Sequence, residues 1–149
     1  MPNSFAHLHF GDLVFEGLSD ENQKRVSYRK DLYLIGIQGP DFIFFYHPLK
    51  ANPVSAKAHE LHNMTGREFF SRAVMELEKH WDRDAALSYV TGFICHFALD
   101  SVGHAFVNRY EEERGICHSD IEGDFDRTLL ASLGKDPVKE DFNLNFPVR

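Results

Sequence analysis

His96, Asp100 and His104 stand four residues apart in one apolar stretch, and His118 and Glu122 repeat that interval shortly after. Residues four apart lie one turn apart on the same side of an α-helix, so the first three fall within a stripe roughly 80° wide at about 100° per residue. One face therefore carries two imidazoles and a carboxylate, the ligand types that zinc and other borderline divalent ions prefer. The stretch from Tyr89 to Val107 is mostly apolar, and titratable groups buried there without partners would be costly. A metal ion would supply the partner. An isolated histidine on a helix is more often a hydrogen-bonded core or surface residue, but aligned ligand types on two successive helices turn the reading toward metal. His80, beside Trp81 and Asp82, reads instead as a surface residue at a helix C-terminus, the end that favours cations. His47 is assigned no role.

The elements that must position these residues are helical. Phe5, Leu8, Leu13, Val14 and Leu18 follow a helical period, and Ser19 and Asp20 are candidate caps for a second helix running to about residue 35. Gly36, Gly39 and Pro40 break that helix and place Asp41 near a chain reversal. The aromatic run from Phe42 to Tyr46 has no partner strand and is expected as a short buried helix or an irregular segment. Pro48 to Ala58 reads as a polar connector. Thr65 and Glu68 have the form of a capping box, which predicts a helix over about 66–80. Asp82 or Asp84 can cap the long ligand-bearing helix, expected to end near residue 110, and a last helix over about 118–133 stops at Gly134.

Composition sets the outer limits. A chain of 149 residues with 43% hydrophobic and 13% aromatic content is enough for one packed domain, residues 1–149,. Fourteen phenylalanines argue against disorder,. A net charge of −7 disfavours long nucleic acid as a partner. No run approaches about 18 uninterrupted apolar residues, so no membrane span is expected. The start, Met1 to His7, has neither a cationic segment nor an apolar one of the secretory kind, which predicts a cytoplasmic protein. Cys95 and Cys117 are then expected to be buried, reduced thiols.

Taken in order, His7, the Gly39-Pro40-Asp41 turn followed by aromatics, a histidine after a connector, His96-x-x-x-Asp100, His104 and His118-x-x-x-Glu122 resemble the bacterial zinc-dependent phospholipase C family. P1-type nucleases are related and share its trinuclear zinc cluster. The resemblance runs from about Phe5 to Phe125 and implies an all-α, compact helical domain of about five helices with a metal site between them. It implies that Asp41, His62, His96 and Asp100 form one zinc site and His104, His118 and Glu122 a second. Asp100 would bridge to a third ion that also takes His7. His62 is preferred to His59 as the ligand after the connector.

The chain departs from the family pattern in three places. Secreted members also hold the third zinc through an N-terminal tryptophan, whereas this chain begins Met1-Pro2, so two or three ions are expected, with the Pro2 amine a candidate donor. Asp100 and His104 are closer together than in the family, which leaves open whether His104 serves the same ion as His96. The stretch after Glu122 is short, as in a minimal or C-terminally truncated version.

The implied function is a zinc-dependent phosphodiester hydrolase of phospholipase C type that activates water, with Asp41 as metal ligand and proton acceptor. Its partner would be a phospholipid or other phosphodiester, with transient contact to a membrane surface. A nuclease-like or small-molecule phosphoesterase on the same scaffold is the alternative, and a non-catalytic helical protein stabilised by metal is another. A di-iron carboxylate bundle fits poorly, because neither ligand helix carries a Glu-x-x-His pair.

Overall fold

The computed structural model describes residues 4–140, which form seven α-helices and one 3₁₀ segment, with no strand among them. The helices are α1 (Ser4–Gly17), α2 (Asp20–Ser27), α3 (Lys30–Ile37), α4 (Pro53–Asn63), α5 (Gly66–Lys79), α6 (Arg83–Arg114) and α7 (His118–Ser132), and the 3₁₀ turn is Asp41–Phe45. The all-α expectation holds, with seven helices in place of about five.

The additional helices arise where polar residues hide the boundaries. The helix expected over 20–35 is two, parted at Tyr28 and Arg29, where Arg29 leaves helical geometry and its guanidinium grips Asp31 at 2.9 and 2.7 Å. The second half of the expected connector is the start of α4. Asn52 caps it by accepting from the Val54 and Ser55 backbone N–H groups, with Pro53 in the first turn where its missing N–H costs nothing,. The aromatic run is a 3₁₀ turn but is not buried, since Phe42, Phe45 and Tyr46 are all about half exposed. The Thr65–Glu68 capping box opens α5, and Asp82 caps α6 by accepting from Ala85 at 3.1 Å. Gly115, at φ +65°, ends α6 one turn later than expected,.

α6 is the central element, packing against α1, α2, α3, α5 and α7. It is long and apolar enough by length and composition to cross a membrane, which the search for an uninterrupted apolar run does not register. In this fold Ala85, Phe93, Cys95 and Val107 are buried, while Ile94, Val102 and Phe106 are about half or more exposed. The innermost cluster is Val26, Tyr33, Ile37 and Cys95, and the Tyr33 hydroxyl donates to the Gly11 carbonyl at 2.7 Å. Cys95 is a buried free thiol, whereas Cys117 is free but exposed. Between α3 and α6 the main chains touch: a Cβ on Gly36 would stand 2.2 Å from the Tyr89 carbonyl oxygen, and one on Gly92 would stand 2.2 Å from that of Tyr33.

Candidate metal centre

α6 points His96, Asp100 and His104 along one side, as their spacing requires, and every other element that contributes a ligand type is held against that side. α3 leads directly into the turn that carries Asp41. Gly39 makes this turn possible in two ways: its φ of +54° is unfavourable for other residues, and a Cβ there would lie 2.2 Å from the His96 ring,. The Asp41 loop therefore closes directly over His96. α4 brings His62, whose Nδ1–H donates to the Ala58 carbonyl at 2.9 Å and whose Nε2 faces Asp41 Oδ1 at 2.7 Å. Pinning one ring nitrogen on a carbonyl aims the other at the site, the usual outer-sphere arrangement of a ligating histidine.

Asp100 is the hub. His7 Nε2 and His96 Nε2 each stand 3.2 Å from its carboxylate, and His104 Nε2 stands 3.6 Å away. The His7 and His96 rings stack with centroids 4.4 Å apart. On the far side of Asp100, His118 Nε2 approaches Glu122 at 3.1 Å and His104 Nε2 approaches it at 3.8 Å. The ligand atoms thus form three groups in which all members lie within 4.8 Å of one another: His7, His96 and Asp100; Asp41, His62 and His96; His104, His118 and Glu122. All eight residues singled out from the sequence are brought together. His104 falls with His118 and Glu122 rather than with His96, and His62 rather than His59 faces Asp41; His59 packs against Phe44 instead. His80 caps the end of α5 and contacts Asp82. Pro2 lies outside the described residues.

Three supporting groups escaped the sequence reading. Asp126 continues the His118, Glu122 stripe by one more turn of α7 and accepts hydrogen bonds from the backbone N–H groups of Phe5 and Ala6 at 3.1 and 2.9 Å. It fastens the first turn of α1, and with it His7. Glu111, read only as part of a helix end, lies 3.5 Å from His118 Nδ1, the ring nitrogen opposite the one that meets Glu122. The third is the Ala58 carbonyl. The recurrence of an acid at 118 plus eight was the available signal for Asp126, and the Ala58 carbonyl lies one turn before His62 in the same helix; Glu111 depends on tertiary placement.

Electrostatics favour an ionised acid at the hub. Burial pushes the Asp100 carboxyl up, but the imidazoles of His7 and His96 outweigh it and hold the group well below the usual carboxylate range,. His62 is raised above its ordinary value by its hydrogen bond to Asp41, against the opposing effect of burial. Asp126 is raised by burial, with the Phe5 and Ala6 hydrogen bonds pulling the other way.

The family model for zinc dependent phospholipase C matches residues 6–147, nearly the whole chain. The chain belongs to the zinc-dependent phospholipase C family. No curated protein and no solved structure matches it. Membership of a zinc-dependent phospholipase C family makes the ion the natural partner to test against the donor set, and the donors suit it. His7 Nδ1 and both ring nitrogens of His96 are buried without a hydrogen-bond partner, although His96 Nε2 stands 3.2 Å from the Asp100 carboxylate. Buried polar nitrogens are rarely left unpaired, and imidazole with carboxylate is a set that zinc takes readily. These residues could hold metal.

Proposed function

We propose that the protein is a zinc-dependent phosphodiester hydrolase acting on phospholipid, with two or three ions held by His7, Asp41, His62, His96, Asp100, His104, His118 and Glu122. The observation that carries this reading is the convergence of three ligand groups on one carboxylate, Asp100, beneath an open cleft. Zinc bound there would supply Lewis acidity toward a phosphoryl oxygen and lower the pKa of water toward 7. The remaining work belongs to the chain. Asp100, kept ionised, holds the charge balance of a centre built from neutral imidazoles. Asp41 sits on the turn beside the cleft and offers a carboxylate oxygen that can take the proton of an attacking water, with His62 fixing its orientation,. The cleft, about 1110 Å³ and bordered by Phe44, His47, Lys50 and His59 as well as the ligands, is large enough for a phosphodiester and its headgroup,.

Elemental mass spectrometry on protein purified without chelator or affinity-tag metal tests the proposal, combined with assays on phosphatidylcholine and bis(4-nitrophenyl) phosphate. Two or three zinc ions per chain with turnover are expected, and His96→Ala or Asp100→Ala should abolish both. Full turnover in either variant would sink the reading. A single ion without turnover would leave a metal-stabilised helical protein.

A further inference from the structure

The ligand cluster borders more than one cavity. Besides the wide cleft, a cavity of about 400 Å³ lies between α6 and α7 and shares Asp100, His104 and Glu122 with it. Its walls follow from the sequence. On α6, Leu99, Gly103, Phe106 and Tyr110 fall on the strip next to the ligand strip, and on α7, Ile121, Phe125 and Thr128 do the same beside His118 and Glu122,. Each ligand helix therefore carries an apolar strip alongside its ligands, and the two strips face each other across the cavity. Val107 and Ile121 are buried at its base, while Phe106 and Phe125 remain half exposed at its mouth.

A phosphodiester places its two substituents on different sides of phosphorus. Three cavities border Asp100 and His104: the wide cleft, the α6–α7 cavity and a third of about 410 Å³ beside His62 and Phe97. With the phosphate on these ligands its substituents enter two of them, and the α6–α7 cavity is the most apolar of the three. We infer that the α6–α7 cavity takes an acyl chain of the glyceride substituent, leaving the headgroup in the wide cleft, so that the enzyme selects substrates by acyl length. This rests on the phosphodiesterase reading for the position of the phosphate. The strips fit a hydrocarbon chain better than a nucleobase, whose ring nitrogens and amino groups would find partners, apart from the ligands themselves, only at the Tyr110 hydroxyl, Thr128 and Asp124. Gly103 is the natural probe: it lines the cavity, a Cβ there meets nothing within 4 Å, so a larger side chain starts in open space and extends toward the cavity, and leucine favours the helix more than glycine does.

Titration calorimetry of the full chain, zinc-loaded and zinc-free, with dibutanoylglycerol, dihexanoylglycerol and adenosine provides the test. Complete burial of one methylene strengthens binding about fourfold, so the two extra methylenes of one hexanoyl chain, half buried in an open-mouthed cavity, should make dihexanoylglycerol bind at least about fourfold more tightly than dibutanoylglycerol. Gly103→Leu should weaken dihexanoylglycerol by about tenfold or more, with no fall in thermal midpoint by circular dichroism. Affinity that ignores chain length, preference for adenosine, or indifference to Gly103→Leu in a folded variant would each overturn the inference. Hydrolysis of bis(4-nitrophenyl) phosphate, whose substituents have no acyl chain, reports separately on the phosphodiesterase reading. Its absence alongside chain-length-dependent binding would remove the reaction and retain the cavity's preference.

Discussion

The Asp126 carboxylate, near the middle of α7, accepts the backbone N–H of Ala6 at 2.9 Å and so ties the helix bearing His118 and Glu122 to the one bearing His7. The link acts as a cap supplied from a distant part of the chain, since the first N–H groups of a helix have no partner within it.

Asp126→Asn retains one acceptor oxygen and replaces the other with a donor, so one of the two N–H groups of Phe5 and Ala6 loses its bond. The expected loss of stability is about 1 kcal/mol, in the range of a lost helix cap. Zinc affinity should weaken for the ion that uses His7 while the His104, His118 and Glu122 group is spared. Urea unfolding and a zinc titration check both; uniform weakening at all sites would contradict the local role.

Gly39→Ala should damage the centre although residue 39 is not a ligand. The new methyl would collide with the His96 ring at 2.2 Å, and the backbone would be held at a φ of +54°. The left-handed conformation alone costs about 1–2 kcal/mol for a residue other than glycine. A lower urea midpoint together with reduced zinc content is expected, whereas wild-type zinc content would mean that His96 can move without loss of the ion.

For Asp41→Asn, the amide keeps one oxygen for a metal but cannot take a proton. Turnover of a phosphodiester is expected to fall by about 10²- to 10⁴-fold, the usual contribution of a general base. Zinc content should fall much less. Parallel loss of both would assign Asp41 to metal retention alone.

The pH dependence of stability should reverse on adding zinc. In the zinc-free protein, the raised pKa of His62 means that its pairing with Asp41 contributes fully below the ordinary histidine value of about 6.5 and is lost as pH rises through the raised one. The depressed pKa of Asp100 gives the opposite limb, with stability present above about 3.9 and lost as pH falls toward its folded value. Zinc competes with protons for the same imidazoles, so the stabilisation it adds should grow with pH. Thermal melts at pH 6 and 8, with and without zinc, check this. A zinc-induced shift that is larger at pH 6 would contradict it.

Much of the centre was legible because helices turn sequence spacing into direction. The intervals from His96 to Asp100 and from His118 to Glu122 fix which side chains share a face, and the Gly39-Pro40 turn marks where Asp41 must leave a helix. The helix count and the buried aromatic turn were misjudged for a different reason. The sequence from Ser27 to Lys30 has no residue that forbids helix, so the corner at Arg29 is set by tertiary packing. The exposure of Phe45 likewise depends on what surrounds the 3₁₀ turn rather than on its own hydrophobicity. The role of Glu111 depends on the return of α7 along α6, which leaves no trace in local spacing, and the Ala58 carbonyl was missed because α4 was expected to begin only after residue 58.

The contact between Gly36 and Gly92 acts as a fixed datum for the candidate metal centre. Because α3 meets α6 through main-chain atoms and then runs straight into the Asp41 turn, the separation of Asp41 from His96 is gauged by backbone thickness rather than by interlocking side chains. Side chains on the apolar strips, such as Leu99, Ile121 and Phe125, can then vary in size and reshape the second cavity without resetting that gauge. If the second cavity holds an acyl chain as proposed, substrate preference and ligand geometry are separately adjustable parts of one pair of helices.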